Sequence, residues 1–86
     1  EIDYEIVDDT NRTARHSGKR SVVIRLPGEV TESELSSIAR DLKRRAMRDF
    51  DRTFIEYYLP GMVINSGAWA TSHFDPELEV RILDLQ

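Results

Sequence analysis

The chain contains no cysteine. That absence excludes disulfide staples, cysteine-ligated zinc, iron–sulfur clusters and thiol nucleophiles together. It does not choose a compartment, because cysteine-free chains work on both sides of a membrane. No apolar run approaches the roughly 20 residues that cross a bilayer, and no basic stretch followed by an apolar signal core opens the sequence. There are only 3 prolines and 4 glycines, too few for a Pro- or Gly-rich low-complexity chain. No internal repeat or long linker divides the 86 residues, which suffice for one domain, 1–86, and not for two.

What is present is a balanced composition: 40% hydrophobic residues, 33% charged and a formal net charge of −4. This is too apolar for a disordered segment and too polar for a membrane-embedded chain, so a soluble domain that does not insert in membranes is expected. The start at Glu1 rather than Met points to a processed form or a piece of a longer chain. An anchor or signal preceding it would place the domain at the cell envelope.

Residues 2–7 alternate, with Ile2, Tyr4 and Ile6 opposite Asp3, Glu5 and Val7, the period-2 mark of a half-buried strand. From Asp8 to Lys19 apolar periodicity disappears, which predicts a long, mobile polar loop. The β-branched run Val22-Val23-Ile24 carries a second strand over 20–26, stopped by Pro27-Gly28, since proline lacks a ladder donor. Thr31 followed three residues later by Glu34 is a capping box, and a helix starts there.

Leu35, Ile38, Ala39, Leu42, Ala46 and Phe50 recur at helical steps and predict a single buried stripe. Glu32 and Glu34 in the first turn, with Lys43, Arg44, Arg45 and Arg48 in the second half, complement the helix dipole. Residues 53–59 alternate again before Pro60-Gly61, and 67–74 with 77–84 read as a hairpin turning at Asp75-Pro76. The order β-β-α-β-β-β predicts an α+β two-layer sandwich: one helix on one face of a mostly antiparallel four- to five-stranded sheet. Its strand–helix–strand crossover makes the second and third strands parallel.

Three constellations bear on function. Ser72-His73-Phe74-Asp75 holds a hydroxyl, an imidazole and a carboxylate, the materials of a small hydrolase centred on His73 and Asp75. Neighbouring strand residues face opposite sides of a sheet, however, so Ser72 and His73 are expected to diverge. Convergent metal ligands are lacking, and no motif calls for a cofactor. The second constellation is cationic: Arg40, Lys43, Arg44, Arg45 and Arg48 on the helix, with Arg12, Arg15, Lys19 and Arg20 in the loop. It offers an anion-binding alternative toward nucleic acid or anionic lipid. Interleaved Asp41, Asp49 and Asp51, the negative net charge and the lack of stacking aromatics weigh against nucleic acid.

The third constellation is geometric. One helix covers one sheet face, which leaves Val7, Val23, Phe54 and Tyr58 on the other as an apolar, aromatic patch. Such a patch marks a partner surface, unless residues 60–67 fold back across it. Trp69, between the small residues Ala68 and Ala70, reads as a core or rim anchor, or as a stacking residue of the same surface. Open edge strands provide another route to a partner.

The segments Tyr4-Glu5-Ile6-Val7, Tyr57-Tyr58-Leu59-Pro60-Gly61-Met62 and Gly67-Ala68-Trp69-Ala70 resemble a family of small bacterial and phage-associated domains of unknown function. That resemblance implies a non-enzymatic accessory domain, often following an N-terminal anchor or lipoprotein signal, and carries over no catalytic residue. With Val23, Phe54, Tyr58 and Trp69 as candidate contacts, the leading expectation is a module that binds an unknown protein partner or self-associates.

Overall fold

A computed structural model of the chain describes residues 2–13, 18–46, 50–74 and 77–83. It comprises β1 (Glu5–Thr13), β2 (Gly18–Arg25), α1 (Glu32–Arg44), β3 (Arg52–Tyr58), β4 (Ala70–Phe74) and β5 (Leu78–Ile82). The strands lie in sequence order, β1-β2-β3-β4-β5. Only the crossover pair β2–β3 is parallel; the other three ladders are antiparallel. This is the α+β arrangement expected, one helix on a five-stranded mixed sheet.

The ladders align side chains into rows that cross the sheet. On the helix side run Ile6, Ile24, Tyr57, Ala70 and Ile82, and beside them Asp9, Val22, Ile55, Ser72 and Val80. Leu35, Ile38, Ala39 and Leu42 from α1 close over these rows to form the core, joined by Leu26, Trp69 and Phe74. Burial drives this: each side chain of this size withdrawn from water contributes about 1.5–3 kcal/mol. The capping box is complete. Thr31 Oγ1 accepts from Glu34 N–H at 3.1 Å, and Thr31 N–H donates to Glu34 Oε1 at 2.9 Å.

Three expectations are corrected. The stretch from Asp8 to Lys19 is not a long loop: β1 and β2 pair as far as Thr13 and Gly18, and only 14–17, which include Arg15, lie outside the described residues. The ladder slips between Ile6 and Asp8, leaving Val7 as the extra residue of a bulge. Past the bulge the parity reverses, so that Asp9 rather than Asp8 turns to the helix side. There it meets Arg20, whose Nε and Nη2 donate to Oδ1 and Oδ2 at 3.0 and 2.7 Å while Nη1 donates to Leu42 O at 2.9 Å. This fork, and not a solvated cation, is the role of Arg20; the bond to Asp9 raises its pKa further.

The helix stops at Arg44, with Arg45 as C-cap. Ala46 and Phe50, expected on its stripe, are half-buried beyond its end. Asp75-Pro76, the expected turn, lies outside the described residues, although β4 and β5 pair antiparallel as a hairpin requires. Among the described residues no helix is long and apolar enough to cross a membrane.

Candidate site on the open sheet face

The face away from α1 carries its own rows. Thr10, Ser21, Phe54, His73 and Glu79 form one; Asp8, Val23, Glu56, Thr71 and Arg81 form the next; Glu5, Arg25 and Tyr58 form a third. The expected apolar, aromatic patch is therefore corrected to a mixed surface. Phe54 stands on the central strand at 37% exposure, flanked by hydroxyl, imidazole and charge, with Val23 half-buried one row away.

Tyr58 does not share that exposure: its side chain is fully buried. Residues 59–66 make two successive turns over it, closed by Met62 N–H to Leu59 O and Ser66 N–H to Val63 O at 3.1 and 3.2 Å. Gly61 and Asn65 take positive φ of 83° and 74° at the third position of each, the conformation a type II turn demands and the reason glycine and asparagine stand there. Asn65 N–H then donates to the Tyr58 hydroxyl at 3.1 Å. Arg25 Nη1 ties the loop down by donating to Leu59 O and Met62 O at 2.8 and 2.6 Å. Fold-back over the sheet thus occurs at the Tyr58 end, leaving Phe54 exposed.

Trp69, the fourth candidate contact, lies in the core cluster. Its N–H donates to Tyr57 O and its carbonyl accepts from Leu83 N–H, at 2.9 and 2.7 Å. Its role is that of a core anchor.

Around Phe54, the side chains of Thr71, His73, Glu79 and Arg81 line a shallow hollow of ≈ 280 Å³. The Phe54 and His73 rings meet edge-to-face, with centroids 5.9 Å apart and planes at 84°. Arg81 Nε donates to Glu79 Oε1 at 2.7 Å across one side of the hollow. Sequence reasoning found Phe54 but missed these four companions, because which residues share a row depends on strand register. Given the strand order, alternation alone would have placed Thr71 and His73 beside it.

Ser72 and His73 do diverge. Ser72 is fully buried on the helix side, where its Oγ and the Tyr57 hydroxyl are 2.8 Å apart. Tyr57 Oη also donates to Leu35 O at 3.3 Å. Burial pushes the Tyr57 pKa up to about 12, against the opposing effect of the bond to Ser72. Asp75 of the hydrolase pairing lies outside the described residues. Among the described residues no group of three or more His, Cys, Asp or Glu could hold a metal ion.

The helix cations are dispersed. Lys43 Nζ sits 4.5 Å over the Phe74 ring, Arg44 and Arg45 approach opposite oxygens of Asp41 at 2.8 and 3.2 Å, and Arg40 is exposed. Arg48 lies outside the described residues. Asp41 is thus the local counter-charge, its pKa lowered chiefly by the bond from Arg44. It also accepts from the Tyr4 hydroxyl at 3.2 Å, in a hollow of ≈ 370 Å³ between α1 and the residues leading into β1. That hollow was not foreseen, and Tyr4, Asp41 and Arg44 in its walls already bond to one another.

Comparison with protein-family models, with curated proteins and with solved structures found no match to this chain.

Proposed function

We propose that this domain is a non-enzymatic interaction module that receives a protein partner on the open sheet face around Phe54. One observation carries the reading: an aromatic ring stands partly exposed on the central strand of a five-stranded sheet, on the face that α1 does not cover. A ring so placed retains apolar area whose burial by a partner is favourable. The surrounding groups specify the partner's chemistry: an apolar side chain over the Phe54–His73 edge, hydrogen bonding to Thr71, and paired opposite charges for Glu79 and Arg81. Divergence of Ser72 and His73 supports the non-enzymatic reading, which is also what the family resemblance implies.

The test is selection of displayed peptides on the immobilised domain. Binders are expected to weaken roughly tenfold or more on Phe54→Ala, as for a central interface anchor, and to be nearly unchanged by Arg40→Ala. Binders indifferent to Phe54→Ala, but lost with added salt and on substitution of Arg40 and Lys43, would instead establish the anion-binding reading.

A further inference from the structure

β5 is an edge strand: β4 is its neighbour on one side, and none of the described strands lies on the other. The direction of its free groups follows from one bond. Leu83 N–H donates to Trp69 O at 2.7 Å, and Trp69/Leu83 continues the β4–β5 register in which Ala70 faces Ile82 and Thr71 faces Arg81. Hydrogen-bonded and non-bonded pairs alternate along an antiparallel ladder. Glu79, Arg81 and Leu83 therefore point their backbone groups at β4, while Leu78, Val80 and Ile82 point theirs outward.

The strand reads Leu-Glu-Val-Arg-Ile, which is self-complementary in reverse. An antiparallel second copy with its twofold axis at Val80 sets Val80 opposite Val80, Leu78 opposite Ile82, and Glu79 opposite Arg81 twice. The outward backbone groups make Val80/Val80 and the two Leu78/Ile82 pairs hydrogen-bonded. The two Glu79/Arg81 pairs then occupy the non-bonded positions, where cross-strand side chains approach most closely. Among the described residues these two charges pair with each other, at 2.7 Å with side chains 62% and 69% exposed, so exchange of partners costs little desolvation.

The opposite edge does not offer this fit. β1 carries the bulge at Val7 and the consecutive acids Asp8 and Asp9, devices that discourage edge pairing.

We propose that two copies of this chain pair through β5, antiparallel about Val80, into one continuous ten-stranded sheet. The twofold axis is perpendicular to the sheet, so both helices lie on one side and both open faces on the other. The two Phe54 rings then sit five strand spacings apart, roughly 24 Å, on a single bivalent surface. This inference does not depend on what Phe54 binds.

The test is sedimentation equilibrium of the 86-residue chain up to about 1 mM, because a five-residue edge forms a small interface of the weak, reversible class. A monomer–dimer equilibrium is expected for the wild type. Arg81→Glu sets Glu opposite Glu, and Glu79→Arg sets Arg opposite Arg; each is expected to weaken the dimer roughly tenfold or more. An equimolar mixture of the two variants regains opposite charges at both pairs, so it is expected to dimerise as well as the wild type. Phe54→Ala is expected to leave the dimer intact. The proposal is overturned by a wild type monomeric at 1 mM, by a dimer indifferent to both charge reversals, by failure of the mixture to recover, or by open-ended growth in mass, which would indicate β1-to-β5 stacking.

Discussion

Removing one oxygen from the core, Tyr57→Phe, is expected to destabilise the domain through what it leaves behind rather than through lost packing. The ring stays the same size, but Ser72 Oγ, fully buried and 2.8 Å from the Tyr57 hydroxyl, loses that partner. A buried polar group so stranded costs about 1–3 kcal/mol. Ser72→Ala is milder, about 1 kcal/mol, because the Tyr57 hydroxyl keeps Leu35 O as an acceptor. In the double variant nothing is stranded at Ser72, so its cost is expected to fall below the sum of the single costs by about 1 kcal/mol. Urea unfolding at neutral pH measures all three values, with an unchanged m-value confirming that the same surface is exposed on unfolding. Additivity within about 0.3 kcal/mol would refute the reasoning, as would a Tyr57→Phe domain as stable as the wild type.

The same tyrosine sets an alkaline limit. Its pKa in the folded chain is pushed to about 12, above the ordinary 10.0, so folding favours the neutral hydroxyl. The associated stability is complete below about pH 10 and is lost as pH rises through 12, by roughly 2–3 kcal/mol; urea titrations at pH 8 and pH 11.5 should show a smaller fall for Tyr57→Phe than for the wild type. At the helix start, Thr31→Ala removes the capping oxygen held by Glu34 N–H at 3.1 Å and is expected to cost about 1 kcal/mol. Thermal unfolding checks this as a fall of roughly 4–8 °C, largely recovered by Thr31→Ser.

What could be read from residues alone was short-range. Thr31 and Glu34 are three apart, and Leu35, Ile38, Ala39 and Leu42 follow one helical stripe, so the helix and its buried face are visible without tertiary information. The succession β-β-α-β-β-β and the α+β class followed because each strand core alternates, whereas the order of the strands within the sheet, β1-β2-β3-β4-β5, rests on long-range pairing that alternation does not encode. The outer half of β1 was hidden for a physical reason. It is an edge ladder rich in polar residues, and the bulge at Val7 inverts its parity, so Asp9 faces inward to Arg20 where simple alternation places Asp8. Arg20 then looked like a surface cation, although it is 8% exposed. Tyr58 was indistinguishable from Phe54 in sequence. They differ because Pro60-Gly61 and Asn65 turn the following segment over one ring and not the other. The companions of Phe54 came from β4 and β5, whose register no local pattern reveals.

The central claim, that partners engage the open face at Phe54, is tested most directly by mapping backbone amide shifts of the labelled domain during titration with a selected peptide. Shifts are expected to gather at Phe54, Thr71, His73, Glu79 and Arg81. Shifts gathered instead at Arg40, Lys43 and Arg44 on α1, with the Phe54 row unmoved, would contradict it.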